Sequence, residues 1–213
     1  MSDHPAGKPH GKRIVLATRN QGKIKELEAL LSGDGLTVLG LADFPDIGEI
    51  EETGVTFAEN AALKARTVAL ASGLVALADD SGLEVDALHG APGVYSARYS
   101  GEGATDEKNN LKLLDALKDV PDSARGCRFV SVVAAVAPNG AELLAEGRWE
   151  GRVLHAPRGS GGFGYDPLFL DLDLGKSAAE LAPADKNARS HRGRALRALL
   201  TNWPDFWARA SRP

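Results

Sequence analysis

The sequence predicts an α/β fold whose mixed sheet is flanked by helices. Three observations carry this expectation. Short apolar runs of strand length alternate with segments of helical period through the first half of the chain. A long apolar run, the turn Pro138-Asn139-Gly140 and a second apolar stretch then read as an antiparallel hairpin, so the sheet is mixed. No Pro-, Gly- or Ser-rich linker divides the chain, so a single domain is expected over residues 13–213, after a flexible polar tail at residues 1–12.

Taken in order, Ile14, Val15, Leu16 and Ala17 form a short buried strand. Residues 23–31 follow, with Ile24, Leu27, Leu30 and Leu31 on one helical face. Residues 36–39 make a second strand. Residues 57–70 are alanine-rich and helical, with Phe57, Ala61, Ala65 and Val68 on one side. Residues 74–78 are a third strand, with Asp79 and Asp80 at its C-terminal end. Thr105 is placed to cap a helix carrying Leu111, Leu114 and Leu117, and Ser190 to cap a last one carrying Leu196, Leu199 and Leu200. Asn139-Gly140 is the favoured pair of a type I′ hairpin turn.

Composition narrows the function. With 213 residues, 43% of them hydrophobic, the chain can bury a sizeable core. A net charge of −4 argues against wrapping a nucleic-acid polymer, which leaves a basic footprint, but is compatible with a small anionic ligand. The polar, proline-containing start lacks the apolar region of a signal peptide, and no run approaches the roughly 20 apolar residues of a membrane span. A cytoplasmic protein without a membrane partner is expected. The lone Cys127 excludes an intramolecular disulfide and a cysteine metal cluster, and its apolar surroundings read as those of a buried thiol.

Five segments carry candidate chemistry. Asp79 and Asp80 are adjacent acids that repel each other, at the place where α/β sheets build ligand sites. Mg²⁺ takes one or two carboxylates with phosphate oxygens and water, so it would relieve the repulsion and leave a carboxylate to orient or deprotonate water. The other reading of Asp-Asp-Ser-Gly is a polar turn. The segment ATRNQGK, residues 17–23, lies at a strand-to-helix turn, where free N–H groups and the helix dipole favour phosphate. Thr18 adds a hydroxyl, Asn20 an amide and Lys23 a charge. It is not a Walker A loop, and an Asn cap beside a solvated lysine explains the same residues.

In residues 50–65, Glu51 and Glu52 precede a turn glycine, and Glu59, Asn60 and Lys64 follow on a helix; taken alone this stretch reads as structural. In GSGGFGYDPLF, residues 159–169, glycines allow close backbone approach, and an aromatic ring offers a base a stacking surface worth about 1–3 kcal/mol. Glycine-rich loops with aromatic anchors are also common without function. Near the end, Lys186, His191 and Arg192 surround a capping Ser190. Cations at the positive end of a helix are unfavourable unless an anion or a carbonyl-rich ligand sits close by.

The segments occur in one order: T-x-N-x-x-K at residues 18–23, EETG at 51–54, TF-x-ENA-x-x-KA at 56–65 and ADDSGL at 78–83. GAPGVYSARYSG at 90–101, GGFGYDP at 161–167 and K-x-x-x-SHRG at 186–193 complete the series. Together they resemble the Ham1-type inosine triphosphate pyrophosphatases. The resemblance implies an elongated fold of two lobes with the active cleft between them, and a homodimer. It implies Mg²⁺-dependent hydrolysis of ITP, dITP and XTP to the monophosphate and pyrophosphate. By the same resemblance, Thr18, Arg19, Asn20, Gln21, Gly22 and Lys23 would hold the triphosphate, and Ser81 would contact substrate. Glu51 and Asp80 would hold the metal, with Asp80 also the proton acceptor. Phe163, Gly164, Tyr165, Asp166, Lys186, His191 and Arg192 would form the base pocket.

Those roles suit base discrimination. Hypoxanthine and xanthine present O6 as acceptor and N1–H as donor, and adenine presents the reverse. Arg192 facing O6 and Asp166 facing N1–H would leave buried groups unpaired against adenine. A Maf-like pyrophosphatase shares the reaction, but the FGYD and SHR segments argue against it. A non-catalytic nucleotide binder gains little from Glu51, Asp79 and Asp80, and a nucleotidyltransferase needs an acceptor site that the sequence does not reveal.

Overall fold

The computed structural model describes residues 12–32 and 35–212. The expected tail falls on residues 1–11, outside the described residues, and on Lys12, which already opens the first strand. The strands are β1 (Lys12–Leu16), β2 (Leu36–Gly40), β3 (Val75–Val85), β4 (Gly126–Val136), β5 (Glu142–Val153), β6 (Phe169–Asp171) and β7 (Lys176–Ser177). The helices are α1 (Gln21–Leu31), α2 (Phe57–Ser72), α3 (Asp106–Ala116), α4 (Pro183–Arg189), α5 (His191–Thr201) and α6 (Trp203–Ala210).

The seven strands form one sheet in the order β2-β1-β3-β4-β5-β6-β7. β1 runs parallel to β2 and β3, and every later pairing is antiparallel. The expected α/β class with a mixed, helix-flanked sheet is what the chain adopts. Local sequence explains the helix ends. Thr56 and Glu59 form a capping box at the start of α2, and Gly73, with φ +68°, ends it in the left-handed conformation. Thr105 caps α3 and Ser190 caps α5, as expected.

Two expectations are corrected. The third strand does not end before the acids: β3 continues to Val85, and Ala76 to Val85 all pair with β4. The two aspartates are mid-strand because their side chains find cations on both faces of the sheet while the backbone ladder stays intact. The hairpin turn is also not type I′, which needs positive φ at both central residues. Proline fixes φ near −65° at Pro138, and only Gly140 turns left-handed, at φ +87°. Gly140 N–H donates to the Ala137 carbonyl, and Asn139 Oδ1 accepts the Ala141 N–H.

Three apolar clusters build the core. One packs α2 on one face of the sheet through Ala61, Ala65, Val68, Ala76, Ala78, Val132 and Ala134. A second packs α1, α5 and α6 on the other face through Leu27, Leu77, Val133, Leu196, Leu199 and Phe206. The third lies farther along β3 and β4, with Leu83, Val85, Phe129, Trp149 and Phe169. Residues 79–82 of β3 fall between the first two clusters and the third, where polar side chains interrupt the apolar packing.

Candidate active site

Alternation along β3 separates the two acids. Ala76, Ala78 and Asp80 face α2, whereas Leu77, Asp79 and Ser81 face α1 and α5, so neighbouring carboxylates point to opposite sides of the sheet. The mutual repulsion expected from sequence is therefore answered by the protein's own cations, one set per face.

On the α1 and α5 side, Asp79 is 1% exposed. It accepts from Lys23 Nζ at 2.8 Å and from Arg192 Nη2 at 3.2 Å. The Ser81 and Ser131 hydroxyls also donate to it. Burial alone would raise its proton affinity, but Arg192 and Lys23 outweigh it and hold the carboxyl well below the usual range. Asp79 is thus a fixed anion that aims two cations.

On the α2 side, Lys64 Nζ lies 2.8 Å from Asp80 and 2.8 Å from Glu52. Asn60 Nδ2 donates to Asp80 at 3.3 Å while its Oδ1 accepts the Gly54 N–H, tying the EETG turn to α2. Burial pushes the Asp80 carboxyl up, Lys64 and Lys23 pull it down without cancelling that effect, and the nearby Glu52 adds to the rise. Glu52 goes the other way: burial is outweighed by Lys64 and Arg98, whose Nη1 is 3.0 Å away. Lys64 remains charged, its desolvation more than offset by Asp80 and Glu52.

The opposite wall comes from the glycine-rich loop, α4 and α5. The Phe163 ring packs against Gly22, where an added Cβ would meet it at 2.6 Å. Lys186 Nζ and the Arg192 guanidinium lie 4.9 and 5.7 Å from its centroid. Lys186 pairs with Asp166 at 2.6 Å and with Glu26 at 2.7 Å, and Glu26 also receives Arg192. Asp166 further accepts the Phe163 N–H at 2.8 Å. Its carboxyl is pushed up by burial, with Lys186 offsetting part of the effect. The His191 ring stacks on Phe129 at 4.7 Å, and burial followed by Arg192 holds it well below its ordinary value, so it is neutral. His191 Nδ1 and Arg192 Nε are buried without a hydrogen-bond partner among the described residues.

These walls face each other across one open cleft. The structure brings Asn20, Lys23, Asp80, Ser81, Phe163, Gly164, Tyr165, Asp166, Lys186, His191 and Arg192 to its lining. Other expected residues lie off it. Thr18 receives the Asn20 N–H, Gln21 begins α1, and Gly22 sits behind the Phe163 ring. Arg19 donates to the Ile47 carbonyl at 2.7 Å. Glu51 is exposed, and Glu52 lines the cleft in its place. Here Lys64 and Arg98 hold the second acid at the cleft wall. Asp166 holds Lys186 and the Phe163 amide through Oδ2 alone, and among the described residues no side chain or amide bonds its Oδ1.

From sequence alone Glu52, Asn60 and Lys64 read as structural, and Glu26 goes unnoticed. One signal was available: Lys64 falls on the apolar stripe of α2 between Ala61 and Ala65, where an unpaired lysine would be costly. Glu26 gave no such signal, because helix position alone does not show what lies across a cleft.

A divalent cation fits the donor set. Glu52 and Asp80 converge on one ammonium at the cleft wall, and Mg²⁺ prefers one or two carboxylates with phosphate and water oxygens. Among the described residues no group of three or more His, Cys, Asp or Glu could hold a metal ion. The protein's share would be these two acids, with the substrate supplying other oxygens.

A sequence profile of the Ham1 family matches residues 14–202. The dITP/XTP pyrophosphatase of Nitratidesulfovibrio vulgaris is 60% identical over 200 residues, covering 91% of this chain and 97% of that protein. The dITP/XTP pyrophosphatase of Thioalkalivibrio sulfidiphilus is 55% identical over 190 residues, covering 88% and 96%. The solved structure of a HAM1 protein from Coxiella burnetii superposes with a TM-score of 0.83 at 46% identity, covering 91% of this chain and 99% of that one.

Proposed function

The chain belongs to the Ham1 family, and from that membership and the cleft we propose how it works as a nucleoside-triphosphate pyrophosphatase. It hydrolyses the triphosphates of deaminated purines (dITP, ITP and XTP) to the monophosphate and pyrophosphate. The observation that carries this reading is one cleft with two unlike walls. Asp80, its proton affinity raised by burial, stands beside Lys23 and Glu52, and opposite lies an aromatic ring with two unpartnered buried nitrogens.

Charge balance points to the cofactor. Lys23, Lys64, Lys186, Arg98 and Arg192 are each already paired with Glu26, Glu52, Asp79, Asp80 or Asp166. A triphosphate therefore brings negative charge that the protein does not neutralise by itself. Mg²⁺ held by Glu52 and Asp80 would supply that neutralisation and polarise the phosphate oxygens.

The chain's own groups do the rest. Lys23 and the N-terminal turn of α1, capped by Asn20, bind the phosphate tail. Asp80 orients the attacking water and takes its proton, and a carboxyl raised by burial suits that role better than an ordinary one. Lys23, its charge shared with Asp79, donates hydrogen bonds to the leaving pyrophosphate. The purine stacks on Phe163, and its 6-oxo group meets the Arg192 Nε–H beside His191. Adenine presents a donor where the Arg192 Nε–H needs an acceptor. Asp166 holds Lys186 and the Phe163 amide through Oδ2 and leaves Oδ1 to accept the purine N1–H.

We place this enzyme in the cytoplasm, as a homodimer acting on free nucleotides rather than on a polymer. Among the described residues no helix is long and apolar enough to cross a membrane. The test is incubation with dITP, XTP, dTTP and ATP plus Mg²⁺, followed by product identification. Monophosphate and pyrophosphate from dITP and XTP are expected; orthophosphate alone, or no turnover, would overturn the reading.

A further inference from the structure

The glycine-rich loop that carries Phe163 contains Gly159, Gly162 and Gly164 at positive φ. Such a sequence has little intrinsic preference for one shape, and the cost of ordering it would fall on substrate binding. Helix α3 already fixes it. Gly164 N–H donates to Asp106 Oδ2 at 2.7 Å, and the Gly164 carbonyl accepts from Asn110 Nδ2 at 2.9 Å. Asp106 and Asn110 are one helical turn apart, so their side chains share a face and form a fork around a single residue. Asn109 binds the opposite segment, donating to the Ser96 and Ala97 carbonyls at 3.3 and 3.2 Å and accepting the Ser100 N–H at 2.7 Å. The Tyr165 hydroxyl closes the loop onto the same Ser96 carbonyl at 2.8 Å.

We propose that Asp106 and Asn110 are positioning residues for purine selection, clamping both polar groups of Gly164 so that Phe163 is held ready to stack before the nucleotide arrives. The proposal rests on the purine-pocket reading above. It concerns the base end of the cleft only, so the phosphate end is the internal control.

Steady-state hydrolysis of dITP by the full chain tests it. Asp106→Ala and Asn110→Ala should each raise KM about tenfold, the effect of losing one well-placed hydrogen bond. Their kcat should stay within about twofold, because no interaction unique to the transition state is removed. Inhibition by inorganic pyrophosphate should be unchanged. Asp106→Asn keeps an acceptor for the Gly164 N–H and should restore a KM near wild type. An Asp106→Asn variant as impaired as Asp106→Ala would instead assign the carboxylate a direct electrostatic role and overturn the clamp. So would a pyrophosphate inhibition constant that moves in parallel with KM, or an unchanged KM in both alanine variants. Phe163→Ala separates the two levels: if it leaves KM for dITP unchanged, the purine-pocket reading itself fails. Amide exchange in the unaltered protein gives a check free of folding effects. Gly164 N–H should be protected without nucleotide, and exchange as fast as in an open loop would overturn the clamp.

Discussion

Lys64 lies on the sheet-facing side of α2 and keeps its charge because Glu52 and Asp80 both reach it. The cluster makes a sharp distinction between two neighbouring acids that spacing could not make. Glu52→Gln should lower kcat/KM at fixed Mg²⁺ by about 100-fold, comparable to deleting one charge-stabilising group at a reacting phosphate. Glu51→Gln should change it by less than about twofold, as expected for an exposed charge. A Mg²⁺ titration of both variants checks this, and equal losses would return the role to Glu51. His191 makes a second residue-scale prediction, on stability. Its folded value is depressed well below the ordinary 6.5, by burial first and Arg192 second. Its contribution is complete above 6.5 and declines as pH falls, because the unfolded chain takes up a proton that the folded one refuses. The slope is at most about 1.4 kcal/mol per pH unit. The raised carboxyls of Asp80 and Asp166 work in the opposite sense, so the comparison must be with a variant. Between about pH 7.5 and about pH 5.5, urea unfolding should show wild type losing about 1 kcal/mol more than His191→Phe. Equal losses would mean that His191 becomes charged inside the fold.

At the level of elements, the site depends on how closely α5 lies on β5. An added Cβ on Gly147 would stand 2.2 Å from the His191 carbonyl oxygen and 2.4 Å from the Ala195 nitrogen. Backbone cannot rotate aside as a side chain can, so Gly147→Ala should destabilise the protein by about 3 kcal/mol, read as a lowered urea midpoint. It should also displace Arg192 from Glu26 and Asp79, so that dITP turnover in the surviving folded fraction falls as well. An unchanged midpoint would show that α5 can lift without cost. Elements with strong local signals are legible in the amino-acid sequence: α2 from its alanine stripe, α3 and α5 from their caps, β4 and β5 from the turn between them. β6, β7, α4 and α6 are not, since they are short and are defined by what they pack against. β3 fails for a more instructive reason. Asp-Asp-Ser-Gly has the composition of a turn, and only the cations brought by α1, α2 and α5 allow it to remain strand. Most of the cleft lining can be read from motifs, but the partners that orient it, Glu26 and Lys64 above all, depend on approach angles that no local pattern encodes.

For the whole molecule, the proposed single domain over residues 13–213 makes its own prediction. β3 and β4 run through all three apolar clusters. Val75 and Leu77 pack with α1 and α5, Ala76 and Ala78 with α2, and Leu83 and Val85 with Trp149 and Phe169. Two units sharing two long central strands cannot part without breaking ladder hydrogen bonds within β3 and β4, so the two ends of the sheet should unfold together. Trp149 reports one end, where it is buried and donates to Asp171 at 3.0 Å. Trp203 and Trp207 report the other, packed with Phe206 in the α5 and α6 cluster. Trp149→Phe leaves only the second pair of probes, and the double variant Trp203→Phe, Trp207→Phe leaves only the first. Within each variant, the fluorescence midpoint in urea should coincide with that from far-ultraviolet circular dichroism. Separated midpoints, with one end of the sheet melting first, would divide the chain into two folding units. The cleft would then be an interface between them, and saturating Mg²⁺ and nucleotide would draw the two transitions together, whereas for a single unit the ligand shifts one transition as a whole.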